Sequence, residues 1–226
     1  MRENLFHASR RCGPKEQNEM SAVDFWDEKY ASKPQVWSGR ANAVLVDIAS
    51  DLPPGRALEL GAGEGGDAIW LAQQGWQVTA MEISTVAIER ARAGAESAGV
   101  GPDRIEWVAQ DLATWKGEGS YDLVTAFFLQ SPVELPRAEI LRKAAGAVAP
   151  GGHLLIVTHA APPPWATQLH AHHHDFPTPA DEVASLNLAA GEWEVVIADV
   201  RSRTTSDPDG NPAVLDDTIV LVHRLP

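Results

Sequence analysis

The chain has 226 residues, of which 44% are hydrophobic and 22% charged, and a formal net charge of −13. That length and balance suit one soluble α/β domain with a full core, and the acidic charge argues against a nucleic-acid backbone or an anionic membrane as partner. No apolar run approaches the ~20 residues of a spanning helix, and the lone cysteine, Cys12, leaves no intrachain disulfide and no cysteine-based metal site.

Residues 1–20 are polar and without clear period. They are expected to form a disordered tail, with Met20 as a second candidate start. The charged N-terminus lacks the apolar core of a signal peptide, so the expected location is cytoplasmic. Ser21 to Tyr30 carries Val23, Phe25, Trp26 and Tyr30 and reads as an amphipathic helix. Trp37-Ser38-Gly39-Arg40 follows, and Asn42 is placed to cap a helix running to Ile48. After the turn Asp51-Leu52-Pro53-Pro54-Gly55 comes a short apolar strand, Arg56 to Leu60. Gly61-Ala62-Gly63-Glu64-Gly65-Gly66 is then a turn whose glycines let the backbone bend sharply and lie against a ligand. A helix beginning around Ile69 is closed by Gly75.

The next strand, Gln77 to Glu82, ends in an acid close to the roughly 20 positions after Gly61 at which a ribose-holding carboxylate is expected. Ser84 caps a helix from Thr85 to about Ala98, with Val86, Ala87, Ile88, Ala91 and Ala95 on its apolar face. Strands follow at Ile105 to Ala109, ending near Asp111, and at Tyr121 to Phe127. A helix over Arg137 to Val148 is expected to end at Ala149-Pro150-Gly151-Gly152, before a fifth strand from His153 to Thr158. Alternating strands and helices require a parallel sheet. Thr178-Pro179-Ala180-Asp181 is a helix start. Trp193 to Arg203 and Thr218 to Arg224 read as an antiparallel hairpin around Asp207-Pro208-Asp209-Gly210-Asn211-Pro212.

Several of these stretches resemble a known family. Glu59-Leu60-Gly61-Ala62-Gly63-Glu64-Gly65 resembles the first motif of class I S-adenosylmethionine (SAM)-dependent methyltransferases. Ile105 to Leu112 resembles their third-strand motif, Tyr121-Asp122-Leu123-Val124 their fourth strand, and Leu141 to Val157 their fifth. Phe25 to Tyr30 with Trp37 to Arg40 resembles the N-terminal lid of the tellurite-resistance and thiopurine group, which acts on small molecules. The resemblance covers roughly Phe25 to the C-terminus. It implies a Rossmann-like three-layer sandwich with seven strands in the order 3-2-1-4-5-7-6, the last strand antiparallel. It further implies a single domain over 21–226, with 21–50 as lid helices.

The resemblance also implies a donor site for SAM. Gly61, Gly63 and Gly65 would admit the methionine part, with Glu59 beside them, and Glu82 and Ile83 would meet the ribose. Asp111 and Leu112 would meet the adenine. Arg40 would pair with the methionine carboxylate, and Trp37 and Tyr30 would be walls. Each has a plainer competing role: core packing for the aromatics, a turn or cap for Asp111, a solvated charge for Arg40. Trp26 and Trp115 are expected to pack rather than bind.

Methyl transfer needs alignment, worth ~7–11 kcal/mol, and a base only where the nucleophile holds a proton. His159, after the fifth strand, is the candidate base. Phe128, Gln130, Trp165 and Phe176 are candidates to shape an acceptor pocket. Gln130-Ser131-Pro132 occupies the rim where methylases of base or glutamine nitrogens carry N/D-P-P-Y/F, which argues against that class. His172-His173-His174-Asp175, near His170, offers metal-ligand types, but a solvated loop is the simpler reading. The expected partner is thus a small-molecule acceptor. Two alternatives remain open at this level. One is a nicotinamide-dependent oxidoreductase, since Gly61, Gly63, Gly66 and Glu82 also satisfy the dinucleotide fingerprint. The other is a non-catalytic SAM-binding module.

Overall fold

The computed structural model describes residues 20–165 and 176–226. The expected tail, Cys12 and the histidine-rich run lie outside the described residues. Seven strands are described: β1 (Arg56–Leu60), β2 (Gln77–Glu82), β3 (Ile105–Ala109), β4 (Tyr121–Phe127), β5 (Val148–His159), β6 (Trp193–Ser206) and β7 (Pro212–Arg224). They form one sheet in the order β3-β2-β1-β4-β5-β7-β6. All neighbours are parallel except β7, which runs antiparallel to both β5 and β6. This is the architecture the sequence motifs implied.

The sheet is buried on both faces because its central strands are apolar at most positions, as parallel strands between helices tend to be. Alternation then sorts side chains by face. Val124, Leu154, Ile156, Val220 and Val222 share one core with Ile140, Leu141 and Ala144 of α5 (Arg137–Gly146) and Leu186, which follows α6 (Pro179–Ser185). Their strand neighbours Leu123, Leu155, Ile219 and Leu221 share the other. That core also holds Leu45 of α2 (Ala43–Ala49), Leu71 of α3 (Gly66–Gln73) and Ala95 of α4 (Thr85–Ser97). Each fully buried Leu or Ile is worth about 1.5–3 kcal/mol.

The caps read from sequence form. Ser84 Oγ accepts from the Ala87 N–H, Asn42 Oδ1 from Val44, and Thr178 Oγ1 from Asp181. Two strand boundaries differ from expectation. Pro150-Gly151-Gly152 lies within β5, where Tyr121 pairs with Val148 but Leu123 pairs with His153, so the extra residues bulge out. The hairpin strands are also longer than predicted. Pairing runs from Trp193–Arg224 out to Ser206–Pro212, beyond the apolar stretch, because backbone hydrogen bonds continue where side chains turn polar. Asp207 closes the turn by accepting from Asp209 and Asn211 N–H groups.

The strand order reverses between β1 and β4, and the crevice at the carboxyl ends of those strands is where an α/β sheet binds ligands. The N-terminal segment sits over that end. Helix α1 (Ala22–Ala31) is held to the start of α4 by Asp27, which accepts from Ser84 Oγ at 2.6 Å and from the Val86 N–H at 3.4 Å. No helix among the described residues is long and apolar enough to cross a membrane.

On the opposite side α6 is tied to α5 by an ion pair. Glu182 is 1% exposed and accepts from Arg137 Nη1 at 3.0 Å. Removing the arginine strands a buried charge. Arg137→Met is expected to cost roughly 3–5 kcal/mol in urea unfolding, whereas Arg137→Met with Glu182→Leu should recover most of that loss. Equal instability of the single and double variants would contradict this.

Candidate active site

The turn after β1 is built from three left-handed glycines, Gly61 (φ 75°), Gly63 (φ 54°) and Gly65 (φ 80°). Side chains are disfavoured there by backbone strain and by space. A Cβ on Gly65 would lie 2.5 Å from the Trp107 ring and 2.8 Å from Ala91. One on Gly63 would lie 3.0 Å from the Tyr30 hydroxyl. Gly61 and Ala62 N–H groups both donate to the Met81 carbonyl, which locks the turn against β2.

Four carboxylates surround this turn. Glu82, 5% exposed, accepts from the Gly63 N–H at 2.9 Å and from the Ser84 N–H at 2.9 Å. Burial pushes its carboxyl up, against the backbone hydrogen bonds that favour the ionised form. Burial likewise pushes the Glu59 carboxyl well up, helped by repulsion from Asp67 and Glu82. Glu59 Oε2 is buried with no hydrogen-bond partner among the described residues. Asp67, in the first turn of α3, accepts from the Asn42 N–H, and burial pushes its carboxyl up to about 6. Glu64, inside the turn itself, accepts from the Val36 and Trp37 N–H groups at 3.0 and 2.9 Å and pairs with Arg90 at 2.9 Å. Glu64 and Asp67 therefore fasten the N-terminal segment to the glycine turn. Neither role is visible in the sequence, because an acid gives no sign there of which distant N–H it will accept from.

A cavity of about 1150 Å³ opens here. It exceeds the ~300–1,000 Å³ usual for one ligand. Trp37, Arg40, Glu59, Gly61, Gly63, Gly65, Glu82, Ile83, Asp111, Leu112, Phe128 and His159 all line it. Trp37 Nε1 donates to the Tyr30 hydroxyl at 2.9 Å, making one aromatic wall. Lys29 Nζ lies 4.5 Å from the Trp26 ring and 5.1 Å from the Trp37 ring. Burial, then repulsion from Lys33, lowers its ammonium. Trp26 lines the cavity as well as packing on Phe25, so packing is only part of its role. Trp115, by contrast, is buried in the core. Arg40 faces the cavity with no acidic partner within ion-pair distance among the described residues. Asp111 Oδ1 accepts from the Ala113 N–H at 2.9 Å, so it caps a turn while also lining the cavity.

The far end of the cavity lies beyond β4 and β5. Phe128 holds a left-handed conformation (φ 47°), a strained one for an aromatic residue, and its ring lies 4.5 Å from the His159 ring. Gln130 Oε1 accepts from the His159 N–H at 3.1 Å. Three residues absent from the sequence expectation complete this end: Arg201 and Arg203 of β6 and Asp217 of β7. Trp165 and Phe176, expected to shape an acceptor pocket, are not among the lining residues. The β6–β7 hairpin borders this end of the cavity instead, through Arg201, Arg203 and Asp217.

Residues 34–187 match a family described as a methyltransferase domain. A ubiquinone biosynthesis O-methyltransferase of Xanthomonas euvesicatoria is 31% identical over 134 residues, covering 59% of this chain and 55% of that protein. The chain thus spans little more than half the length of that relative. TehB from Haemophilus influenzae superposes with a TM-score of 0.61 at 18% identity, over 90% of this chain and 67% of that one. Magnesium protoporphyrin IX methyltransferase from Synechocystis, solved with bound S-adenosylhomocysteine, gives 0.59 at 19% identity over 80% and 78%. The glycine turn, the strand order and the match over 34–187 place the chain in one group: it belongs to the methyltransferase domain family, in its class I, SAM-dependent form.

Proposed function

We propose that this chain transfers the methyl group of SAM to a small-molecule acceptor. The observation that carries the reading is the cluster of buried carboxylates under the glycine turn, with Glu59 Oε2 unpaired among the described residues. SAM carries a sulfonium, an ammonium and two ribose hydroxyls, which are the groups such a cluster lacks. Glu82 keeps lone pairs beyond the two that accept from Gly63 and Ser84, since a carboxylate has about four acceptor sites. The bound solved relative and the O-methyltransferase named above support the same donor and a small acceptor.

The carboxylates argue against the oxidoreductase. A dinucleotide places its pyrophosphate at the N-terminus of the first helix after the glycine turn. Here that helix carries Asp67 in its first turn, and Glu59 and Glu82 lie behind it. Two phosphate charges would meet Asp67 in that first turn, with Glu59 beside it. Against a non-catalytic module stands the size of the cavity, which leaves room beside the donor.

In this reading SAM supplies an electrophilic methyl carbon on a good leaving group. The chain has to align the acceptor and exclude water. Trp37, Tyr30 and the N-terminal segment cover the donor end, with Arg40 free to meet the methionine carboxylate. Asp111 and Leu112 face the adenine. Phe128, Gln130 and His159 would border the acceptor, and His159 would take its proton.

Glu82→Ala and Asp111→Ala are each expected to weaken SAM binding by about tenfold or more, roughly 1.4 kcal/mol; unchanged calorimetric affinity in both variants would overturn this binding geometry. Binding should also depend on pH. A cationic ligand favours ionised carboxyls, so affinity should rise as pH climbs through the raised values of the acid cluster. The ligand-free protein has the opposite sign. Asp67, raised from 3.8 to about 6, contributes stability below its unfolded value that is lost as pH rises through the folded one. The SAM-induced rise in Tm should therefore be larger near pH 7.5 than near pH 5, by about tenfold in affinity per group shifted by one unit. An equal rise at both would contradict it.

A further inference from the structure

We infer that Asp217, held by Arg203, positions the His159 imidazole as the base for an acceptor whose nucleophile is a protonated hydroxyl of the phenol or enol class. The inference rests on the methyltransferase reading and goes beyond it by naming the proton-handling apparatus and the acceptor chemistry.

The strand register brings the three residues together. His159 at the end of β5 pairs directly with Asp217 of β7. Asp217 pairs in turn with Arg201 of β6, and Arg203, two residues on, shares its face. His159 Nδ1 lies 3.2 Å from Asp217 Oδ1. Arg203 Nε donates to Asp217 Oδ2, the other carboxylate oxygen. Asp217 is 3% exposed, so its charge is screened by these partners rather than by water. A carboxylate can only accept, so Nδ1 must carry its proton, and Nε2 of the neutral ring is left as the acceptor.

The ring itself is fixed from its other side. Phe128 packs against it with ring centroids 4.5 Å apart and planes tilted by 35°, and the Arg203 guanidinium lies 5.4 Å from the same Phe128 ring. The charged groups facing His159 are thus Asp217 from β7 and, through it, Arg203 from β6; the end of β4 contributes the uncharged Phe128 and Gln130. His159, Asp217 and Arg203 all line the cavity. An anionic acceptor has no proton to lose and no use for such an arrangement, whereas a phenol or enol reacts well only as its anion forms. In the step, the acceptor O–H proton passes to Nε2 and the oxygen forms the bond to the methyl carbon. The carbon–sulfur bond breaks with its electron pair kept on sulfur, and the donor leaves as a neutral thioether. The imidazolium, whose side chain is 28% exposed, then returns its proton to water.

The test uses the full chain with SAM, following thioether release over a panel of simple phenols, catechols and enols, with iodide and thiocyanate as proton-free nucleophiles. Turnover is expected on the hydroxyl compounds only, with a kcat/KM that falls toward acid pH. His159→Gln should lose about 10²- to 10⁴-fold in kcat and with it the acid limb. Asp217→Asn should lose at least about tenfold in kcat with KM and SAM affinity unchanged. Arg203→Met should fall likewise, and Arg203→Lys should restore part of the loss. Turnover of iodide or thiocyanate alone, no turnover of any hydroxyl compound by protein that binds SAM, or an Asp217→Asn enzyme with an unchanged pH profile would each overturn the inference. Failure to bind SAM at all would instead overturn the methyltransferase reading. SAM affinity and Tm of the variants separate loss of chemistry from loss of fold.

Discussion

The Glu82 carboxylate accepts from the backbone N–H groups of Gly63 and Ser84, and through them it joins the turn after β1 to the turn after β2. Both turns sit at the carboxyl end of the sheet, so one side chain sets the floor of the cavity. Burial makes its charge costly. The two backbone donors offset part of that cost, and the remainder is a standing attraction for a ligand that brings hydroxyls or positive charge. A glycine at position 63 is part of the same constraint, because the N–H can point inward only in a conformation that side chains resist, and with Tyr30 3.0 Å from where a Cβ would be.

The same economy of backbone donors and carboxylates holds the N-terminal segment. Asp27 reaches to Ser84 and Val86, Glu64 to Val36 and Trp37, and Asp67 to Asn42. Each link joins the N-terminal region to a residue of the glycine turn or to the helix that follows a turn. The segment that covers this end of the cavity is thus coupled to the glycine turn that lines it. The acceptor end depends on different elements. It is bordered by the β6–β7 hairpin together with the ends of β4 and β5, on the other side of the reversal of strand order between β1 and β4.

Much of the donor end was legible in the sequence because its constraints are local. A glycine turn between an apolar strand and a helix, an acid at the next strand end, and capping residues such as Ser84 and Asn42 act over a few positions, and the structure brings the glycine turn, Glu82 and Asn42 to one cavity. The acceptor end was less legible because it is assembled by register. Asp217 lies just before the stretch that begins at Thr218, and reading the strand from that stretch left Asp217 outside it. Pairing with β5 and β6 extends the strand back to Pro212 and makes Asp217 a buried neighbour of His159. An acid just ahead of Thr218 and the four apolar residues Ile219 to Val222 was the available signal. Glu64 and Asp67 were illegible for a further reason: their partners are backbone N–H groups, which every residue but proline carries.

The most direct measurement is a calorimetric titration of the protein with SAM and, separately, with NADH and NADPH. Micromolar binding of SAM with no heat from either nicotinamide nucleotide is the expected result, because the acids beneath the glycine turn complement a cation and repel a pyrophosphate. Binding of a nicotinamide nucleotide without binding of SAM would contradict it.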